Sequence, residues 1–102
     1  MGFEVVVEDE LGNKVASFED PKNILHSIFP TQDDINYRCL NRVDWYGDTT
    51  FNRNQIPDVR KELECLVKTR RNAEELTALN ILITLAIQCE TGSHLYLKFY
   101  GD

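Results

Sequence analysis

Long hydrophobic runs are missing from this chain. The longest apolar stretch, Leu79 to Ile87, is interrupted by Asn80 and Thr84, far short of the roughly 20 apolar residues that a membrane span needs. No leader is expected either, because Met1-Gly2-Phe3-Glu4 has neither a basic start nor an apolar run. A myristoylation start at Gly2 fails at Val6, where serine or threonine is required. Histidine is scarce: His26 and His94 lie far apart, without partners at metal-ligand spacing. Cys39, Cys65 and Cys89 form no Cys-x-x-Cys pair, so no zinc site and no other cofactor is expected. Their odd number and wide spacing read as free thiols, two of them on apolar helix faces, in a reducing, cytoplasmic setting. The chain also lacks a Gly-x-Ser-x-Gly turn, a phosphate-binding Walker loop and a Gly-x-Gly-x-x-Gly fingerprint. The reading leans away from an enzyme.

Positive charge is short as well. Eleven Lys and Arg face seventeen Asp and Glu, for a net charge of −6. Residues 1–34 carry all of this excess, with eight acids against Lys14 and Lys22. Such a surface excludes duplex nucleic acid as a partner, since phosphate binding needs a basic face. It suits either plain solubility or a basic partner protein, whose approach it would accelerate.

What is present describes one domain spanning residues 1–102. The hydrophobic fraction of 42% and ten aromatic residues suffice for a single core. Phe3, Val5 and Val7 alternate with Glu4, Val6 and Glu8 as in a strand. Residues 9–13 turn, with Gly12 and Asn13 suited to positive φ, and Lys14 to Phe18 returns as the second arm of a hairpin. Asp20 is placed to cap a short helix with Pro21 at its first position, and Phe29-Pro30 ends it. Residues 35–43 read as a strand, bulged near Cys39 and Leu40, with a helix as the competing reading.

Residues 44–54 read as a loop. Asn52 and Gln55 make a capping-box pattern for the next helix, in which Pro57 offers a second start. Val59, Leu63, Leu66 and Val67 step at helical spacing, Glu64 and Lys68 form an i,i+4 pair, and Lys68 to Arg71 close the helix with cations. Asn72 with Glu75 opens the longest helix, over about residues 73–90, whose apolar face is wide enough to pack on both a sheet and a neighbouring helix. His94 to Tyr100 alternates as a last strand that fits a central place. These elements predict an α+β fold: a small two-layer sandwich with a mainly antiparallel sheet of about four strands against two main helices.

Polar and aromatic side chains concentrate at residues 44–53. In a structural reading, Asp48 accepts N–H groups of the turn, Gly47 takes a positive φ, Asn52 caps and Phe51 anchors the loop in the core. In a binding reading, Trp45 and Tyr46 are anchors, with Asp44, Asp48, Thr49, Asn52 and Arg53 as polar contacts. His94 and Tyr96 on the last strand complete the candidate set. Asp44, Asp48, Asn52 and His94 serve a ligand or an enzymatic reaction only if they converge in one pocket.

The loop Tyr46-Gly47-Asp48-Thr49-Thr50-Phe51-Asn52 and the ending His94-Leu95-Tyr96-Leu97-Lys98-Phe99-Tyr100-Gly101-Asp102 resemble a group of small uncharacterised bacterial proteins. These share a Tyr-Gly-Asp-Thr-x-Phe-Asn loop and a His-Leu-Tyr-Leu-x-Phe-x-Gly-Asp end. By type, the resemblance implies a toxin-immunity or other inhibitory protein that binds a protein partner. The rival expectations are a small-ligand or enzymatic domain and a homo-oligomer built on exposed aromatics.

Overall fold

The computed structural model describes residues 3–20, 22–69 and 72–101. Strand β1 (Phe3–Asp9) and strand β2 (Lys14–Asp20) form the expected hairpin. Its turn is fixed by the Asp9 carboxylate, which accepts the N–H groups of Leu11 and Asn13 at 2.9 and 2.8 Å. Gly12 supplies the positive φ of 84° that the turn requires. Helix α1 (Ile24–Ile28) follows. The buried Asp20 carboxylate accepts the N–H groups of Ile24 and Leu25 at 3.0 and 2.9 Å, satisfying two open donors of α1. The expected role of Pro21 lies outside the described residues.

The later elements are strand β3 (Asp48–Phe51), helix α2 (Ile56–Lys68), helix α3 (Ala73–Thr91) and strand β4 (Leu95–Tyr100). The sheet is antiparallel throughout, in the order β2-β1-β4-β3. The α+β two-layer fold therefore stands, with β4 in the central place its alternation suggested. Phe3, Val5, Val7, Phe51, Leu97 and Phe99 point to the helix layer and are buried there. Helix α3 packs against both the sheet and α2. Its capping box is formed: Asn72 accepts the Glu75 N–H at 2.9 Å, and Glu75 accepts the Asn72 N–H at 3.0 Å.

Several expectations are corrected. Residues 35–43 are not a strand but a series of turns ending in a 3-10 turn at Leu40–Arg42. The Glu62 carboxylate on α2 takes the N–H groups of Cys39 and Leu40 at 3.1 and 2.9 Å, so these donors have no need of a neighbouring strand. The fourth strand is β3, inside the stretch read as a loop. The Asn52–Gln55 box forms, but one turn ahead of α2 rather than as its cap. Glu64 pairs with Arg60, four residues before it, and Arg60 also bonds Glu90 of α3. Cys65 is exposed, while Cys89 is buried on its helix face as expected.

Candidate functional site

Strand β3 divides the predicted site. Asp48 stands opposite Tyr100 and Phe51 opposite Leu97, so the strand runs the length of its pairing with β4. At about 3.4 Å per residue, Asp48 and Asn52 are roughly 13 Å apart. Asp44, Trp45, Tyr46 and Asp48 gather at one end of the sheet, and Asn52, Arg53, His94 and Tyr96 at the other. The two ends form two separate surface features. Phe3, Asn23, His26, Trp45 and Tyr46 line a small cleft of about 140 Å³. Asn52, Arg53, Asn54, His94, Leu95 and Tyr96 line another of about 250 Å³. The carboxylates and the histidine that an enzymatic reading needs together are thus kept apart.

At the first end, Trp45 turns inward. Its ring lies 4.7 Å from Phe3, 4.8 Å from His26 and 5.5 Å from Phe29, centroid to centroid. Tyr46, its neighbour, is 82% exposed. The turn between Trp45 and β3 is held from both sides. Thr49 Oγ1 accepts the Asp44 N–H at 2.9 Å, and the Asp44 carboxylate accepts the Tyr46 N–H at 2.9 Å. Asp44 thus fills the acceptor role expected of Asp48, and Gly47 is not in a positive-φ conformation. The Gly101 N–H reaches the Gly47 carbonyl at 2.7 Å. A Cβ at Gly101 would run into the Trp45 carbonyl group, so glycine is needed there for close approach. The two sequence motifs that the resemblance rests on are therefore one structural unit, β3 and β4 side by side with their end residues interlocked.

At the second end, Asn52 Oδ1 accepts the N–H groups of Asn54 and Gln55. His94 holds a left-handed backbone, φ 56°, unusual for a non-glycine residue. Its Nδ1 lies 3.6 Å from Glu10 at the hairpin tip. Arg53 is exposed.

Between the two ends lies the sheet face opposite the helices, and sequence reasoning captured only part of it. Strand alternation places Glu4, Val6 and Glu8 of β1 there, with Ser17 and Glu19 of β2, Tyr96, Lys98 and Tyr100 of β4, and Asp48 and Thr50 of β3. Glu19, Glu4, Tyr100 and Asp48 form one row across all four strands. Lys14 bonds Glu4 at 2.8 Å and Lys98 bonds Glu8 at 3.0 Å. The Tyr100 hydroxyl also donates to Glu8. That bond, together with Lys98, holds the Glu8 carboxyl below the usual carboxylate range against the opposing effect of burial. Tyr100 is shifted upward by the same bond and by burial, and Lys98 upward by its bond to Glu8. The signal for the rest of this face was the Glu4, Val6, Glu8 series of β1, read together with the Tyr96, Lys98, Tyr100 series of β4.

No helix among the described residues is long and apolar enough to cross a membrane. Among them, too, no group of three or more His, Cys, Asp or Glu is placed to hold a metal ion. Comparison with known proteins gives no relative: no family model, no curated protein and no solved structure matches the chain.

Proposed function

We propose that this chain is a protein-binding domain that receives a basic partner on the helix-free face of its sheet, in the manner of a toxin-immunity or other inhibitory protein. The observation that carries the reading is the charge of that face. Among the described residues, Glu4, Glu8, Glu19 and Asp48 of the sheet stand there against Lys14 and Lys98. Acidic clusters of this kind steer basic partners and suppress acidic ones. Tyr46, exposed at the end of the sheet, supplies an aromatic anchor on a turn already ordered by its own hydrogen bonds.

The test is co-expression with the product of each gene neighbouring this chain's own, read as rescue of growth from any that is toxic and as a complex that co-purifies. Rescue by the wild type, lost in a Glu19→Lys, Asp48→Lys double variant that still folds, is the expected result. Equal rescue by that variant sinks the acidic-face reading. Failure of the wild type both to rescue and to co-purify sinks the immunity reading.

A further inference from the structure

We infer that two copies of this chain pair through the outer edge of β2, joining their sheets into one of eight strands. This goes beyond the proposed function, whose partner would meet the face of the sheet and not its edge.

Strand β2 is an edge, bonded on one side to β1 and on the other to no strand among the described residues. Residues Lys14, Val15, Ser17 and Glu19 are exposed along it. In an antiparallel ladder every second residue turns its N–H and C=O away from its partner strand, so the outer side of β2 carries a row of open donors and acceptors. A strand left in this condition is a template for another strand.

The same edge borders an open apolar groove. Phe18, Asp20, Ile24, Ala73, Thr77 and Ala78 are among the residues lining a space of about 390 Å³ between β2, α1 and the first turns of α3. Ala16 and Phe18 face the helix layer yet are only half-buried, because no strand among the described residues lies beyond them. Where α3 borders the groove, Ala73, Thr77 and Ala78 present small side chains, and Glu74 reaches Lys22 at 4.0 Å with both side chains largely in solvent.

Charge order along β2 selects the occupant. Lys14, exposed and already bonded to Glu4, opens the strand, and the exposed Glu19 stands near its other end, the Asp20 carboxylate being buried on the N–H groups of α1. Antiparallel pairing of β2 with a second β2 brings each lysine end beside the acidic end of its partner and sets the middle residues, Ser17 and Phe18, near the two-fold axis. Parallel pairing would place like charges together. Such a contact is isologous, the arrangement that closes at a dimer. Phe18 of each copy then covers the open groove of the other.

The experiment is sedimentation velocity on the full chain at millimolar concentration, joined to cysteine cross-linking. The proposal expects a species of twice the chain mass. It expects Ser17→Cys, in a Cys65→Ser background, to give a covalent dimer on mild oxidation, and Thr50→Cys on β3 to give none. Ser17→Pro blocks strand addition and returns the chain to a monomer. Because proline can disturb β2 itself, Thr77→Lys, at an exposed helix position on the groove, serves as a second disrupting variant. A wild type that stays monomeric overturns the proposal. So does a dimer that survives Thr77→Lys, or one that cross-links no better through position 17 than through position 50.

Discussion

Tyr100 of β4 donates its phenolic hydrogen bond to Glu8 of β1 from a register position four residues away, across the fully buried Val6. Val6 is the one valine of β1 on the helix-free side, fully buried and opposite Lys98, which bonds the same Glu8. Replacing Tyr100 with Phe removes the donor, leaves a nearly buried carboxylate short of a partner, and is expected to cost about 1–2 kcal/mol. The effect depends on pH in a defined direction. Glu8 titrates below its ordinary value in the folded chain, so its stabilising contribution is complete above that ordinary value and disappears as pH falls through the lowered one. Lys98 and Tyr100 are shifted upward. Their contributions are complete below their ordinary values and disappear as pH rises through the raised ones. Urea midpoints across acidic pH should fall less steeply in Tyr100→Phe than in the wild type. Parallel acid limbs would show that the bond contributes nothing.

Trp45 and Tyr46 are adjacent in sequence and opposite in role. Trp45 packs on Phe3, His26 and Phe29, whereas Tyr46 is in solvent. Trp45→Ala should therefore lower stability by about 3 kcal/mol, and Tyr46→Ala should leave it within about 0.5 kcal/mol of the wild type. Binding of the proposed basic partner should respond the other way per unit of stability lost, with Tyr46→Ala weakening the complex while the fold stays intact. Thermal melts followed by circular dichroism separate the two, since the chain has one tryptophan and its fluorescence is lost in Trp45→Ala. A Tyr46→Ala variant that binds as tightly as the wild type would remove Tyr46 from the interface.

The hairpin, α3 and β4 were legible because short-range pattern and final environment agree in them. The Phe3, Val5, Val7 series in β1 and the Leu95, Leu97, Phe99 series in β4 name the face that the tertiary structure buries, and the Asn72–Glu75 box marks the start of α3 where the helix begins. The third strand was misplaced for a physical reason. Ile35, Tyr37 and Cys39 alternate like a strand, but their segment is held by a carboxylate from residue 62, far along the chain. Asp48 to Phe51 has turn-like composition and becomes a strand only because β4 offers an edge to it. Reading residues 44–53 as one loop made one site of it. A strand of four residues is a rigid spacer, and it turned that site into two.

Glu62 holds the irregular segment in place, and its loss should show there first. Glu62→Ala frees the N–H groups of Cys39 and Leu40, which should speed amide hydrogen exchange at these two positions and cost about 1–3 kcal/mol overall. The same carboxylate acts on the Cys39 thiol. Burial, and then the charge of Glu62, push that thiol up to about 11, and burial pushes the Cys89 thiol to about 11 as well. Relative to an ordinary thiol, each then carries about 100-fold less thiolate at neutral pH. A thiol-alkylating reagent should label the exposed Cys65 first, with Cys39 and Cys89 slow, and Glu62→Gln should accelerate Cys39 alone. Equal labelling of Cys39 before and after the substitution would separate its thiol from Glu62.

Gly101 ties the end of β4 to the turn before β3, and its substitution tests whether the two motifs form one unit. Its N–H is committed to the Gly47 carbonyl at 2.7 Å, and the space its side chain would occupy is filled by the backbone of Trp45 and Tyr46. Backbone cannot rotate aside as a side chain can, so Gly101→Ala must push the 45–47 turn outward or give up the bond. Either outcome disturbs Trp45, whose ring rests on Phe3 at the neighbouring end of β1. The expected cost is about 1–3 kcal/mol, with a shift in tryptophan emission that a substitution at a mere chain end would not produce. Gly47→Ala is the informative comparison. A Cβ there meets the Asp44 side chain, 2.7 Å away, which can swing clear. Gly101→Ala should therefore be the more damaging of the two, and the reverse order would mean that Asp44, through its bond to the Tyr46 N–H, fixes the turn more firmly than β4 does.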